Sequence, residues 1–513
     1  MTQLASRAGR PEELRLPELP DRYNAATTYV DENRVVRPDK VAIRCQGASV
    51  SYGDLAANVN RAGNAFKALG LDVEDRVLIL CLDSPAFVYA FFGAIKIGVI
   101  PVPTNTLLIP RDLTYILRDS RAKAIVVSAA LLPKVLEIRR DCPALRHILV
   151  TTSGAGPLSE SLPQGVLSFE EALSASEDEL SPADTTPDDM CFWLYSSGTT
   201  GFPKGAVHLQ HDMIYSAETF GRHVLGCTED DRYFTVSPLF HAYGLGNGVF
   251  VPMRYGASVV YKPERATPDL VYGLVTTERP TVMYTAPTFY AALLAYPEEG
   301  FAYDLSSLRF CVSAGEALPK PLFDRWKQRF GIEILDGIGS TEMLHIFICN
   351  RRGQARGGSS GTPVPGYRAK IVDDAGSELG PGNTGHLWVS GDSCCAFYWN
   401  KHEKSKATFK GEWTVTGDRY RVAEDGTYSY EGRSDDMLKV SGQWVSPAEV
   451  EAAVMDHPAV LECAVVGARD KDDLIKPRAF VLLKDRTNAS DALADELKRH
   501  VKERIAPYKY PRW

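Results

Sequence analysis

Ten consecutive residues, Ser196 to Gly205 (SSGTTGFPKG), hold four hydroxyls, three glycines and one ammonium. They follow the apolar run CFWLY (Cys191–Tyr195), which reads as a strand. Hydroxyls donate to phosphate oxygens, glycines let backbone N–H groups come close, and a lysine neutralises charge. The Walker pattern is not met, because Lys204 stands six residues after Gly198 and Ala206 follows Gly205. A polar turn between strands is the plain alternative. The clustering of Ser196, Ser197, Thr199, Thr200 and Lys204 argues for phosphate binding of another geometry.

Further along lie segments that could join this chemistry. DGIGSTE (Asp336–Glu342) ends in a carboxylate beside two hydroxyls, and a hard cation wants such an oxygen next to phosphate. SPLFHAYGLGNG (Ser237–Gly248) carries His241. SAGEALP (Ser313–Pro319) places Gly315, Glu316 and Ala317 at a turn. TGDRY (Thr416–Tyr420) holds Asp418, and GRSDD adds Arg433 and Asp435. Each alone has a bland reading: an interior histidine, a strand-to-helix turn, a solvated carboxylate, a turn aspartate, a surface arginine. Gly357–Gly361 (GGSSG) satisfies the G-x-S-x-G pattern, but an Arg/Gly loop precedes it and Thr-Pro-Val-Pro follows. The strand–turn–helix of a hydrolase nucleophile is therefore not expected there.

The elements that must position these residues alternate. RVLILCL, KAIVVSA, HILVT and SVVYK read as strands, each near a helical segment. In SYGDLAANVNRAGNAFKALG, Leu55, Val59, Ala62 and Phe66 recur at helical spacing and Gly70 fits a C-cap. Alternation of this kind predicts α/β layers with largely parallel sheets. Residues 152–189 read as a surface connection with one short helix, leading into the CFWLY strand. Near the end, Ser446-Pro447 and Glu449 predict an N-cap, a first helical residue and a capping box. Two strands (CAVVGA, RAFVLLK) and a helix (ALADELKRHVKERI) follow, which makes a small α+β unit.

The 513 residues are too many for one core, so two or more domains are expected. The net charge of −8 comes without any basic run, which argues against a nucleic-acid partner. The most membrane-like stretch, Ala86 to Pro103, contains Lys96 and ends in Pro-x-Pro. It reads as a buried helix running into a strand, and no membrane partner is expected. The N-terminus lacks a signal-peptide core, and the ten cysteines form no CxxC pair. Reduced thiols and a cytoplasmic setting are expected, with no structural zinc.

In their order along the chain these segments resemble the motifs of the adenylate-forming superfamily: acyl- and aryl-CoA synthetases, nonribosomal peptide adenylation domains and beetle luciferases. The resemblance implies a luciferase-like α/β multidomain fold. A large N-terminal domain (1–432) of αβ layers with parallel sheets would carry a small mobile α+β domain (437–513) through a hinge (433–436) at Asp435. It implies ATP, Mg²⁺ and coenzyme A as cofactors. Ser196, Ser197, Gly198, Thr199, Thr200, Gly201 and Lys204 would then close over the β- and γ-phosphates. Gly315, Glu316, Ala317, Asp336 and Gly337 would border the nucleotide base. Thr341 would contact the α-phosphate, Glu342 would hold Mg²⁺, and Asp418 with Arg433 would take the ribose. Lys439, Ser441, Gly442 and Gln443 would line the pantetheine path, and His241 would gate the acid pocket against the thiol tunnel. Lys204, Thr341, Glu342 and His241 are the expected catalytic residues.

STEMLHIFICN (Ser340–Asn350), FHAYGLGN and APYKYPRW narrow the resemblance to the benzoate–CoA ligase group, over about residues 25–513. An aryl ring would sit among Ala242, Tyr243, Gly337, Gly339, His345 and Ile346. His345–Ile348 also reads as a core strand whose first residues face a pocket. Carboxylate would attack the α-phosphate to give acyl-AMP and pyrophosphate, and CoA thiolate would then displace AMP. Relatives carry a lysine beyond APYKYPR that this chain, ending at Trp513, does not show. A truncated C-terminal domain and weak acyl-AMP formation are expected on that basis. A carrier-protein adenylation domain and a non-catalytic acid-binding relative are the alternatives. A homodimer is left open.

Overall fold

The computed structural model describes residues 16–153, 161–198, 201–297, 302–434, 438–440, 443–469, 475–505 and 509–513. Its largest sheet has nine strands. The inner ones run parallel: Val41–Cys45, Ser258–Tyr261, Arg232–Thr235, Val282–Thr285, Phe310–Ser313 and Ile334–Gly339. Antiparallel strands close both edges, Ala48–Ser51 on one side and Ile346–Cys349 with Thr362–Pro363 on the other. A second sheet of five parallel strands contains Arg76–Leu80, Ile100–Pro103, Ala124–Ser128, His147–Thr151 and Val166–Ser168. The inner strands are mostly apolar and buried, as expected of parallel strands covered on both faces, with Arg44, Arg232 and Asp336 among the exceptions.

Two helices between these sheets illustrate how the sequence sets the packing. Tyr52–Ala68 begins with a complete capping box, Ser51 with Asp54, and Gly70 at φ +75° follows its end. It meets the Pro85–Lys96 helix at Gly93, where a Cβ would lie 2.7 Å from Ala62 Cβ. The membrane-like stretch is this buried helix followed by the Ile100–Pro103 strand. Its Lys96 is 2% exposed and donates to Asp31 (2.6 Å) and Asn60 (2.7 Å). Among the described residues, no helix is long and apolar enough to cross a membrane.

Within residues 152–189 the short helix is Phe169–Ser174. The Val166–Ser168 strand before it extends the second sheet, which corrects the expectation of a bare surface connection. Three residues of alternating burial carry too little pattern to mark a strand.

Two smaller antiparallel systems complete the site. Met190–Gly198 and Gly201–Leu209 form a hairpin, with Phe397–Tyr398 pairing to its second strand. Arg368–Val372, Thr384–Ser390, Trp413–Val422 and Phe409–Lys410 form a sheet in that order, and Tyr428–Arg433 also pairs with Trp413–Val422. Beyond this, the hairpins Leu438–Val440/Gln443–Val445 and Val460–Arg469/Ile475–Leu483 and the helices Pro447–Met455 and Asp491–Arg504 share a core of their own, centred on Val445, Val450 and Val501. Ser446 caps the Pro447–Met455 helix by accepting from Glu449 N at 3.1 Å. The Glu449 carboxylate turns instead to Lys509, so the reciprocal half of the expected box does not form.

Candidate active site

A cavity of 730 Å³ opens where the hairpin, the edge of the nine-stranded sheet, the small antiparallel sheet and the C-terminal unit meet. It lies in the size range of a small-molecule site. Ser196, Lys204, Gly315, Glu316, Ala317 and Gly337 reach it. So do Gly339 and Glu342, and, from farther along the chain, Asp418 and Arg433.

The segment from Ser196 to Gly205 runs along both strands of the hairpin. Ser196 pairs with Lys204 across the two strands, which aims both toward one carboxylate. Lys204 Nζ lies 3.1 Å from Glu342 Oε1, and Ser196 Oγ 3.5 Å from the same oxygen. Tyr398 completes the cluster. Its hydroxyl donates to Glu342 Oε1 at 2.7 Å, and the Lys204 ammonium sits 2.7 Å from that hydroxyl and 4.2 Å above its ring. Burial alone would raise the Glu342 carboxyl. The Lys204 charge and the Tyr398 hydrogen bond outweigh it and hold the group below the usual carboxylate value. Tyr398 escaped sequence reasoning, and its one signal was an aromatic run, Phe397-Tyr398-Trp399. Thr199 and Thr200 lie outside the described residues.

Behind Glu342 the chain is held by a second buried group. His208 Nε2 lies 2.9 Å from the Thr341 carbonyl, and Nδ1 lies 2.7 Å from Asp212 Oδ2. Both side chains are fully buried, and the imidazole stacks on Phe192 at 5.0 Å. One imidazole therefore ties the second hairpin strand to the segment that presents Glu342. The backbone then turns through Leu344, a buried non-glycine residue at φ +65°. Such a conformation costs about 1–3 kcal/mol and is held by its surroundings.

This turn delivers His345 to the far side of the cavity wall. His345 is 1% exposed and packs against Phe220 (4.8 Å), Phe250 (5.9 Å) and Tyr243 (6.2 Å). Neither ring nitrogen has a hydrogen-bond partner among the described residues, and burial pushes the imidazole down to about 3. Ile346 begins the edge strand beside it. Gly337 and Gly339 form the wall between. A Cβ at Gly339 would lie 2.5 Å from the His345 carbonyl oxygen, and one at Gly337 would lie 2.9 Å from Ile346 Cγ2. Tyr243 is anchored through its hydroxyl to the Val312 carbonyl at 3.0 Å. His241 is exposed and starts the short Ala242–Leu245 helix, so it is not the interior histidine that spacing alone allowed.

At the opposite wall, Gly315 adopts φ +90° with open space where a Cβ would point. Asp336 is buried, its Oδ1 has no partner among the described residues, and burial raises its carboxyl well above the usual value. It borders a smaller cavity of 350 Å³ that also touches Ala317. Asp418 and Arg433 are cross-strand partners, with Nη1 to Oδ1 at 2.9 Å. Burial raises the Asp418 carboxyl and Arg433 draws it back only in part. Gly417 at φ +81° makes room, since a Cβ there would meet Arg433 Nη2 at 2.8 Å.

The remaining expectations fall in the C-terminal unit. Lys439 and Gln443 lie on the paired strands Leu438–Val440 and Gln443–Val445. Asp435, Ser441 and Gly442 lie outside the described residues. The cavity is closed on this side by Ala448, Glu451, Leu461 and Glu462.

Residues 30–399 match the model of the AMP-binding enzyme family, and 449–512 that of the AMP-binding enzyme C-terminal domain. The chain belongs to the AMP-binding enzyme family. It is 48% identical to the benzoate–CoA ligase of Thauera aromatica over 99% of this chain and 95% of the relative. It is 44% identical to the 4-hydroxybenzoate–CoA/benzoate–CoA ligase of Rhodopseudomonas palustris, covering 96% and 90%. The crystal structure of the anthranilate–CoA ligase AuaEII with anthranoyl-AMP superposes with a TM-score of 0.92 at 44% identity, covering 96% of this chain and 93% of that one. That of a benzoate–CoA ligase from Burkholderia xenovorans gives 0.87 at 42%, covering 96% and 95%.

Proposed function

We infer that this chain is an AMP-forming ligase that joins an aromatic carboxylic acid of the benzoate class to coenzyme A through an acyl-adenylate, with release of pyrophosphate and AMP. The whole-length likeness to benzoate–CoA ligase carries this assignment.

The residues divide the work by chemistry. Lys204 and Ser196, with Ser197, Thr199 and Thr200, take the β- and γ-phosphates. Gly315–Ala317 give the base a flat approach, and the unpartnered Asp336 Oδ1 accepts from its amino group. Asp418 and Arg433 hold the ribose. His345, Ile346, Tyr243 and Ala242 enclose the ring behind Gly337 and Gly339. A flat apolar ring suits this aromatic wall, and a neutral imidazole adds no charge there.

Among the described residues, no three metal-ligating side chains cluster. Glu342, an anionic carboxylate at the cavity wall, fits as the one protein ligand of a magnesium ion that arrives with the nucleotide. When bound, the ion neutralises phosphate charge. The chain itself supplies alignment. Thr341 faces the α-phosphate, the acid is held in line from the His345 side, and Lys204 restrains the leaving pyrophosphate. CoA thiolate then attacks the acyl carbon and AMP leaves. Rotation of the C-terminal unit about Asp435, which presents residues 439–443 to the pantetheine arm, fits the second half-reaction.

An AMP-release assay across benzoate, hydroxybenzoates, aminobenzoates and short fatty acids tests the assignment. Aryl acids should be turned over fastest, and only with CoA present. Faster turnover of octanoate or acetate overturns it. Product formation indifferent to CoA would favour a carrier-protein adenylation domain, and binding without turnover a non-catalytic relative.

A further inference from the structure

Asp83 follows the Arg76–Leu80 strand of the second sheet and precedes Ser84, the N-cap of the Pro85–Lys96 helix. A carboxylate is favoured there by the first N–H groups of the helix. Asp83 is 8% exposed, and its Oδ1 accepts from the Leu239 N–H at 3.0 Å, across 156 residues of chain. Leu239 is fully buried and lies two residues before His241. The groups that act on this carboxylate come from the other sheet. Lys262 follows the Ser258–Tyr261 strand, Tyr261 ends it, and Cys45 ends the Val41–Cys45 strand. Burial pushes the Asp83 carboxyl up to about 6, and the Leu239 N–H and the Lys262 ammonium oppose that rise.

The segment anchored by Asp83 is one side of a tight stack. Thr235 Oγ1 donates to the Ser237 carbonyl at 3.0 Å, and the His241 N–H to the Pro238 carbonyl at 3.1 Å. The Ala242–Leu245 helix lies directly on this backbone, since a Cβ at Gly244 would stand 2.0 Å from the Pro238 carbonyl oxygen. The chain just beyond touches the acid wall: a Cβ at Gly246 would stand 2.1 Å from His345 Cδ2. Between these two glycines and Leu239, Tyr243 faces His345 with ring centres 6.2 Å apart. No slack separates Leu239 from the residues assigned to the aryl ring. A shift at Leu239 is therefore passed on to Tyr243 and His345.

We propose that Asp83, in its charged form, is a positioning residue for the aromatic acid: it anchors Leu239 and through it sets Ala242, Tyr243 and His345 against the ring. This role rests on that wall being the aryl-acid site, as inferred above. A charged acceptor holds an N–H about twice as strongly as a neutral one. A proton on Asp83 also cancels its attraction to Lys262. The anchor is therefore firm above pH 6 and slackens as pH falls through that value.

Benzoate-dependent ATP–pyrophosphate exchange between pH 5.5 and 8 tests this. In the unaltered chain, KM for benzoate should rise about fivefold toward pH 5.5, with its midpoint near 6. Asp83→Asn keeps the shape of the side chain without its charge. It should show the higher KM for benzoate at every pH, while KM for ATP stays where it is and reports an intact nucleotide side. Lys262→Gln removes the opposing ammonium, so the midpoint should move to higher pH; this variant decides the matter if Asp83→Asn does not fold. His241 is kept in both variants, so an inflection that persists unchanged in Asp83→Asn belongs to the imidazole and overturns the proposal. An unmoved midpoint in Lys262→Gln, or an equal rise in KM for ATP and benzoate in Asp83→Asn, overturns it too. All three outcomes leave the ligase assignment standing. No benzoate-dependent exchange from the unaltered chain overturns both.

Discussion

His208 Nε2 lies 2.9 Å from the carbonyl oxygen of Thr341, across 133 residues of chain. The same ring meets Asp212 at 2.7 Å, in full burial. The strand that carries Lys204 and the turn that carries Glu342 thus share one brace. His208→Phe preserves the stack on Phe192 but removes both nitrogens, which leaves the Thr341 carbonyl without its imidazole partner and Asp212 Oδ2 with the Leu209 N–H alone. A loss of about 1–3 kcal/mol in stability is expected. Benzoate-dependent ATP–pyrophosphate exchange should fall in kcat by about tenfold or more, with less change in KM for ATP. Thermal unfolding and exchange kinetics measured together decide it. A lowered Tm with wild-type kcat would reduce the brace to a fold element.

The cluster of Lys204, Tyr398 and Glu342 predicts a split between half-reactions. Lys204→Ala should impair pyrophosphate release more than thioester formation from preformed benzoyl-AMP, because the lysine is assigned to the leaving group. Tyr398→Phe keeps the ring under Lys204 and removes the donor to Glu342. It should lower the ATP step by about tenfold. Equal losses in both half-reactions would contradict the division.

The sign of the pH effect in this cluster follows from its geometry. The Glu342 carboxyl is held low by Lys204 and Tyr398 against the pull of burial. Removing the ammonium leaves burial to dominate and raises the carboxyl. The acid limb of the ATP step should therefore move to higher pH in Lys204→Ala, and stay near its place in Lys204→Arg. Rate profiles for the ATP step between pH 5 and 8 read this directly; coincident acid limbs for Ala and Arg would refute it.

Much of this was legible in the residues, and the exceptions share a cause. The Tyr52–Ala68 helix, its Gly70 end and the buried Pro85–Lys96 helix follow from periodicity and caps, which are local. The cavity residues Lys204, Glu342, Asp418 and Arg433 were reached through motif order. Tyr398 and His208 were not assigned roles. Their meaning depends on pairing Phe397–Tyr398 with Gly201–Leu209, and on a turn 133 residues downstream of His208. The Asp83–Leu239 contact was hidden for the same reason. It joins a carboxylate ahead of one helix to an amide 156 residues later, and arises only when the two sheets pack together.

His345 makes a stability prediction. Its folded value is about 3, whereas an unfolded histidine titrates near 6.5. The unfolded chain therefore binds the extra proton as pH falls, so this residue's contribution favours the fold above about pH 6.5 and is lost progressively toward pH 3. His345→Leu should flatten part of the acid-side loss seen in urea unfolding between pH 7 and 5. Because the ring stays neutral across this range, kcat/KM for benzoate should show no inflection that disappears in His345→Gln. A parallel decline of stability in unaltered and Leu variants would remove the histidine from this account.

Two glycines on opposite walls should fail in different ways. Gly339 is confined by backbone: an added Cβ would stand 2.5 Å from the His345 carbonyl oxygen and 2.7 Å from its carbon. Gly339→Ala must push the edge strand away, at about 1–3 kcal/mol. It should raise KM for the aromatic acid, because the displaced strand begins at Ile346, directly after His345. Gly315 has open space but φ +90°, so Gly315→Ala strains the backbone by about 1–2 kcal/mol and projects a methyl into the nucleotide side of the cavity. Its effect should fall on KM for ATP. Measuring both constants in both variants separates the two walls. If each variant raised the two constants alike, base and aryl acid would not occupy the sides assigned to them.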